Sequence, residues 1–479
     1  MDDLLSGLFD LSPRSDEPLA RGLADHLRSL IADGRLRPGQ RLPSSRTMAR
    51  ALAISRNTVS FVIEQLAAEG YLGVTRGRRP IVAEGLSLVS AQPTGGEQNG
   101  SSRFRPSRWA RHLAQSHWPP VYPDRAQAFQ PGLADEREFP HDVWSRCLRR
   151  AAGNALRQKD RTLNDPRLQE AILKHIAETR GIRANPEQIV ILPSAQSGIA
   201  LIGKVMIDAG DVAWVESPGY GGAFAALRAA NADVVGVPID ADGLKIARHR
   251  KAPRLIFVTP SHQYPTGRLM PIGRRLELLQ FASGTGATIV EDDYDGEFQY
   301  DGRPIAAFAG LAPYDRTIYL GTFSKAMFAD IRVGYLIVPK IMAPTFVLAQ
   351  RHFGLPVSVA LQIALADFIA AGNYRSHIRR MTRIYRRRRD RLVEALAEET
   401  KQRLLVDIPA GGMQLMARCS GSMDDVELSR RLRQAGVVTR PISEMLHHKS
   451  RERGLFLGFA AWNDEEIDAG TEIIGQHFR

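Results

Sequence analysis

Seven short apolar, β-branched runs recur along most of this chain, separated by helical or turn segments. They are "QIVIL" at 188–192, "DVAWVE" at 211–216, "DVVGVPI" at 233–239, "RLIFVTP" at 254–260, "TIVEDDY" at 288–294, "TIYLGTF" at 317–323 and "GYLIVP" at 334–339. Runs apolar at successive positions suit strands covered on both faces. Their alternation with helices predicts a mostly parallel seven-stranded sheet in an α/β domain. A long basic helix is predicted near 373–400, ahead of a small C-terminal α+β subdomain. Ile384 and Tyr385, interleaved in its "RIYRRRRDR" segment, make that run a solvated helix face rather than a nucleic-acid patch.

The residues up to 83 follow another rhythm. Leu23, Leu27, Leu30 and Ile31 give a first helix one apolar stripe, and "RPGQRLP" ends it. Ser44 and Ser45 cap a short second helix through Leu52. Ser55 caps a third, with Val59, Val62, Ile63 and Leu66 facing inward. Arg56, Asn57 and Thr58 are left at the exposed first turn. A recognition helix needs this arrangement, because its first turn reaches base edges while its backbone N–H groups meet phosphates. "YLGVTRGRRPIV" reads as a hairpin wing, with Arg76, Arg78 and Arg79 placed for backbone or minor-groove contact. Residues 84–122, including "SAQPTGGEQNGSSRFRPSR", lack any period and have linker composition. The predicted division is a DNA-binding domain at 14–83, a linker at 84–122 and the α/β domain at 123–479.

Charge sharpens this division. The net charge is +12, and residues 28–83 carry ten arginines against Asp33, Glu64 and Glu69, a local excess of +7. The basic balance is thus concentrated in the small helical block, as an operator-binding domain requires. No apolar run approaches the ~20 residues that cross a bilayer, and the acidic N-terminus lacks the order of a signal peptide. Cys147 and Cys419 form neither a disulfide framework nor a metal site by spacing. These features predict a cytoplasmic protein without membrane partners.

Only nine lysines accompany 55 arginines, and one of them, Lys325, sits in "YLGTFSKAMF" just after a strand. A lysine nucleophile needs a carbonyl partner, and an aldehyde cofactor supplies the electron sink. Pyridoxal 5'-phosphate further needs a carboxylate at its ring nitrogen, a hydroxyl at its ring oxygen, a stacking group, and N–H groups with an arginine at its phosphate. The sequence offers each of these. Asp292 and Tyr294 end the strand "TIVEDDY", at the strand tips where α/β sheets bind ligands. Ala195 and Gln196 open a helix after a strand, Thr322, Ser324 and Arg332 flank Lys325, and Tyr220 and Tyr264 lie in "ESPGYGG" and "SHQYPTG". Taken singly, a strand-end acid pair is an ordinary cap and a tyrosine after Pro-Gly is ordinary packing.

Their order along the chain resembles fold-type I aminotransferases, most nearly the MocR/GabR family, in which such a domain follows a GntR-type winged helix-turn-helix. "TPSHQYPTG", "EDDYDGEF" and "YLGTFSK…RVGYLIVP" carry the resemblance in the second domain, and "GRLRPGQRLPSSR…SRNTV" carries it in the first. The resemblance implies that Lys325 holds pyridoxal phosphate as a Schiff base. It implies a homodimer, and contacts to double-stranded operator DNA from Arg46, Ser55, Arg56, Asn57, Thr58 and, in the wing, Arg76. The chain departs from the pattern in four places. The wing reads "TRGRRPIV" rather than ending in a Gly/Ser-rich turn, and "GLFLGFA" has Phe456 or Leu455 where an aminotransferase has its substrate arginine. Tyr264 replaces an asparagine, and Gln414 stands where such regulators often have histidine. Arg440 and Arg453 are the candidate replacements for the missing arginine. The DNA-binding block and that missing arginine favour a transcription regulator that senses a small amino compound, or the cofactor, at Lys325. The alternatives are a working aminotransferase with a DNA-binding head and a repressor whose core has lost the cofactor.

Overall fold

The computed structural model describes residues 19–75, 77–84, 106–113, 118–120, 122–155, 162–246, 251–302, 306–311, 315–421 and 423–478. It divides into two compact units, Met1–Arg105 and Pro106–Arg479. In the first, helix α1 (Leu19–Ala32) buries Leu23, Ala24, Leu27, Leu30 and Ile31. Helix α2 (Ser45–Ala51) starts where the Ser44 side chain accepts a hydrogen bond from the Thr47 N–H. Helix α3 (Arg56–Ala68) is capped in the same way by Ser55, which accepts from the Thr58 N–H at 3.0 Å. Its Val59, Val62, Ile63 and Leu66 close the core against α1. Strands β1 (Leu72–Gly73) and β2 (Ile81–Val82) pair antiparallel, Leu72 opposite Val82, as the two arms of the hairpin.

The second unit opens with α4 (Arg108–Leu113), α5 (His141–Ala155) and α6 (Pro166–Arg180). The alternation predicted from the apolar runs follows: β3 (Ile189–Leu192), α7 (Ala195–Met206), β4 (Val212–Ser217), α8 (Gly221–Ala229), β5 (Asp233–Asp240), β6 (Gly243–Leu244), β7 (Leu255–Val258), α9 (Ile272–Thr285), β8 (Thr288–Asp293), α10 (Phe308–Leu311), β9 (Thr317–Thr322) and β10 (Gly334–Ile337). All seven predicted runs are strands, in the order β3-β10-β9-β8-β7-β4-β5, and the two-residue β6 folds back antiparallel on β5 as an eighth. β10 alone of the seven runs antiparallel to its neighbours. Strands β3, β4, β7, β8 and β10 are buried at every position, because helices cover both faces.

Beyond the sheet come α11 (Ala343–His352), α12 (Val359–Ala370) and the 27-residue α13 (Asn373–Glu399). The small subdomain comprises β11 (Leu404–Val406), β12 (Gln414–Cys419), α14 (Asp425–Gln434), β13 (Arg440–Pro441), β14 (Gly454–Gly458) and α15 (Asp464–Gln476). Its antiparallel sheet has the order β11-β12-β14-β13. The α13 expectation needs correction. Tyr385, Arg388 and Arg389 are buried rather than solvated. Arg388 donates to Asp135 at 2.8 Å, and Arg389 to the Pro409 carbonyl at 2.6 Å and to Asp301 at 2.7 Å. Carboxylate and carbonyl partners from distant segments make burial of these guanidinium groups tolerable.

Candidate cofactor pocket and DNA-binding helix

The tips of four neighbouring strands and the small sheet enclose a cavity of about 270 Å³. Lys325, three residues beyond β9, lies in its wall, and its amine donates to the Gly132 carbonyl at 2.6 Å. Gly132 has φ +85°, and an added Cβ would lie 3.0 Å from the lysine nitrogen, so both its backbone and its bareness serve this approach. Burial lowers the Lys325 pKa, against the pull of Asp295 and Asp292, which favours the neutral, nucleophilic amine.

Strand alternation sends Asp292 and Asp293 to opposite faces. Asp293 faces Arg180 and accepts from the Tyr319 hydroxyl at 2.7 Å. Burial alone would raise its carboxyl, but Arg180 and Tyr319 hold it at about 2. Asp292 instead lines the cavity, 5% exposed, with Oδ1 buried and without a partner. Burial, then the charges of Asp293, Asp295 and Glu216, pushes its carboxyl well above the usual range. An acid so placed ionises only against a cationic donor, which a protonated pyridine nitrogen provides. The residues present therefore fit pyridoxal phosphate at the point of greatest chemical demand.

The remaining predicted groups assemble around these two, with one exception. The Ser194 side chain caps α7 by accepting from the Ser197 N–H at 3.1 Å, and this N-terminus brings Ala195 and Gln196 to the cavity. Gln196 also anchors the wall, accepting from the Tyr220 hydroxyl at 3.1 Å and donating to the Gly222 carbonyl at 2.9 Å. Thr322, Ser324, Tyr264 and Tyr294 are present in the lining. The aromatic wall is continuous, with ring centroids 5.5 Å apart for Tyr220–Tyr264 and 5.8 Å for Tyr264–Tyr294. Arg332 is the exception. It is exposed, takes a left-handed backbone (φ 46°, ψ 50°) and is not in the lining.

Sequence reasoning missed several contributors. Trp118, Pro120 and Tyr122 line the cavity although composition placed them in the linker. Residues from 106 onward group with the second unit, and Trp118 packs edge-on against Tyr220 at 4.7 Å. Two aromatics beside prolines in "HWPPVY" were the available signal. Thr259 joins the lining and ties the cavity to Glu216, whose Oε2 accepts from the Thr259 N–H at 3.0 Å and hydroxyl at 2.6 Å. Gln414 and Arg440 enter from the small sheet. Arg453 does not line the cavity and lies 3.8 Å from Asp425.

In the first unit, Arg46, Ser55, Arg56 and Asn57 are exposed and Thr58 is half-buried. Ser55 and Thr58 hydroxyls are 2.8 Å apart, so part of their hydrogen-bonding capacity serves the cap itself. Arg28, by contrast, is committed to Glu69 and Asp25. Arg76 lies outside the described residues.

Comparison with known proteins agrees with both halves of this picture. Residues 19–82 match the family described as bacterial regulatory proteins, gntR family, and residues 133–474 match aminotransferase class I and II. The probable rhizopine catabolism regulatory protein MocR of Rhizobium meliloti is 37% identical over 97% of this chain and 94% of its own. The pyridoxine biosynthesis transcriptional regulator PdxR of Corynebacterium glutamicum is 31% identical, covering 95% of each chain. Among solved structures, Pyrococcus horikoshii kynurenine aminotransferase superposes with a TM-score of 0.68 at 25% identity, over 80% of this chain and 96% of its own. Two domains in this order, matched along nearly the whole length by such regulators, place the chain in the MocR-type branch of the GntR family of transcriptional regulators, which joins a winged helix-turn-helix to a class I and II aminotransferase domain.

Proposed function

We propose that residues 14–83 bind operator DNA through the first turn of α3. We further propose that residues 123–479 hold pyridoxal 5'-phosphate at Lys325 and sense a small amino compound there. The observation that carries this reading is the meeting of a neutral-leaning lysine amine and a partnerless buried acid in one cavity. When bound, the cofactor supplies an aldehyde for the amine of Lys325 and an electron-withdrawing ring. Asp292 would hold the proton on the ring nitrogen, and the Tyr294 hydroxyl would face the ring oxygen. The N–H groups at Ala195 and Gln196, with the hydroxyls of Thr322 and Ser324, would hold the phosphate. Tyr220 and Tyr264 would wall the ring and exclude water. With an amine ligand held in the cavity, the Lys325 amine would be free to donate to the Gly132 carbonyl, as it does here. Gly132 lies 12 residues past Pro120, in the stretch of chain that lines the cavity, so ligand exchange would be felt by the segment leading back to the DNA-binding domain. We place the protein in the cytoplasm as a homodimer acting on paired half-sites.

The test is the visible absorption spectrum of the purified protein, with borohydride trapping of the lysine adduct, in wild type and Lys325→Ala. A band and a trapped adduct in wild type, both absent from folded Lys325→Ala, are expected. An adduct that persists in the variant would assign the role to another lysine. Steady conversion of the bound cofactor to pyridoxamine phosphate by an amino acid would instead make the protein a working aminotransferase.

A further inference from the structure

Helix α3 carries an aromatic side chain that the first unit does not use. Phe61 is 60% exposed, and among the described residues it takes no part in the core that Val59, Val62, Ile63 and Leu66 close. Leu19 and Val74 are the other large apolar side chains exposed in that unit, and neither lies on α3. A single exposed apolar residue on an ordinary surface needs no explanation. Phenylalanine, however, is a poorer helix former than alanine, lysine or glutamate, so an exposed mid-helix position gains nothing from it locally.

The helical period shows where it points. At about 100° per residue the buried stripe of Val59, Val62, Ile63 and Leu66 fixes the inward face. Asn57, Phe61 and Glu64 fall on the face opposite, and all three are exposed. Phe61 follows Asn57 by four residues, so it lies on the same strip about 6 Å further along the axis. A recognition helix lays such a strip in the major groove. The unit around it is basic, with an excess of +7 over residues 28–83, so duplex DNA is the partner whose charge suits this face.

An amide at Asn57 and a carboxylate at Glu64 can read only hydrogen-bonding groups, which leaves Phe61 as the apolar member of the strip. Major-groove base edges are polar with one exception, the C5 methyl of thymine. A ring set against any other base edge dehydrates donors or acceptors without replacing their hydrogen bonds. We infer that Phe61 is a specificity-determining residue of α3 that reads a thymine methyl, within about two base-pair steps of the base that Asn57 reaches. The inference rests on the docking of α3 proposed above.

The experiment uses the full-length, cofactor-loaded protein. Duplexes bound by wild type and by Phe61→Ala are selected from one randomised library and sequenced. The best wild-type duplex is then remade with each thymine in turn replaced by uracil, which keeps the O4 acceptor and loses only the methyl. Apparent Kd is read by fluorescence anisotropy at one fixed salt concentration. At one thymine per half-site, uracil should weaken wild type roughly fourfold, the effect of one buried methyl, and leave F61A unchanged. That position should lose its thymine preference in the F61A selection, and F61L should keep part of it. A 5-methylcytosine placed there should bind wild type more tightly than cytosine. The melting temperature of DNA-free F61A should not fall, because an exposed ring gives way to a better helix former. Uracil costs that are absent from wild type, or that persist in F61A, overturn the inference while leaving the docking of α3 intact. A clear fall in the melting temperature of F61A also overturns it, since the ring would then be covered in the free protein by another segment or a second copy. Wild type that selects no sequence overturns the docking of α3 and this inference with it.

Discussion

Glu216→Gln tests how the buried acids around the cavity are balanced. Glu216, next to last in β4, is only 2% exposed: Oε2 is held by the Thr259 N–H and hydroxyl, and Oε1 has no partner. Burial, only partly offset by those Thr259 bonds, raises its pKa from the ordinary 4.5 to about 7. The sign follows from linkage. Below pH 4.5 the group is neutral in both folded and unfolded chains and costs nothing. As pH rises the unfolded chain ionises first, so stability falls until the folded group also ionises near 7. At roughly 1.4 kcal/mol per pK unit the full cost is about 3 kcal/mol, most of which falls between pH 5 and pH 8. Glutamine keeps the acceptor for Thr259 and removes the charge. Urea unfolding of the apoprotein at pH 5 and pH 8 should therefore show a wild-type decline that is steeper than the variant's by about 2–3 kcal/mol. A functional consequence accompanies it. Glu216 is one of the charges that raise Asp292, so the variant should ionise Asp292 more readily and retain pyridoxal phosphate better at pH 8. Parallel declines for the two proteins would refute the argument, because they would mean that the folded Glu216 ionises as easily as the unfolded one.

Two further substitutions probe the framework and the DNA-binding surface. Asp293→Asn leaves Arg180 buried without its carboxylate and should cost roughly 3–5 kcal/mol in urea unfolding near neutral pH. Because the folded Asp293 titrates at about 2, that gap should narrow as pH falls from about 4 towards 2, and a constant gap would contradict the pairing. Arg56→Ala removes an exposed cation from the first turn of α3 and should weaken operator binding by about 1–3 kcal/mol in a fluorescence-anisotropy titration, with the visible cofactor band unchanged. Unaltered affinity would remove Arg56 from the DNA interface.

The sequence by itself determined the two domains, all seven principal strands and the groups clustered at strand tips, for a physical reason. Residues such as Asp292 and Tyr294, or Thr322, Ser324 and Lys325, lie within a few positions of an apolar run, and the strand that the run dictates carries them to the sheet's edge together. The caps of α2 and α3 were legible likewise, because Ser44 and Ser55 satisfy N–H groups only three residues away. Tertiary structure decided what depends on partners far along the chain. Arg388 looks like one more solvated arginine until Asp135, 253 residues away, makes its burial tolerable. Trp118 and Tyr122 carry no motif, and they reach the cavity because Tyr220 and its neighbours offer an aromatic wall to cover. Arg332 has the right spacing from Lys325, yet its left-handed backbone leaves it at the surface. Arg440 could be nominated from the sequence but not located, because its place depends on the register of β13 against β14. Local periodicity specifies which face a residue takes within its own element, whereas pairing and packing between elements decide which charges meet.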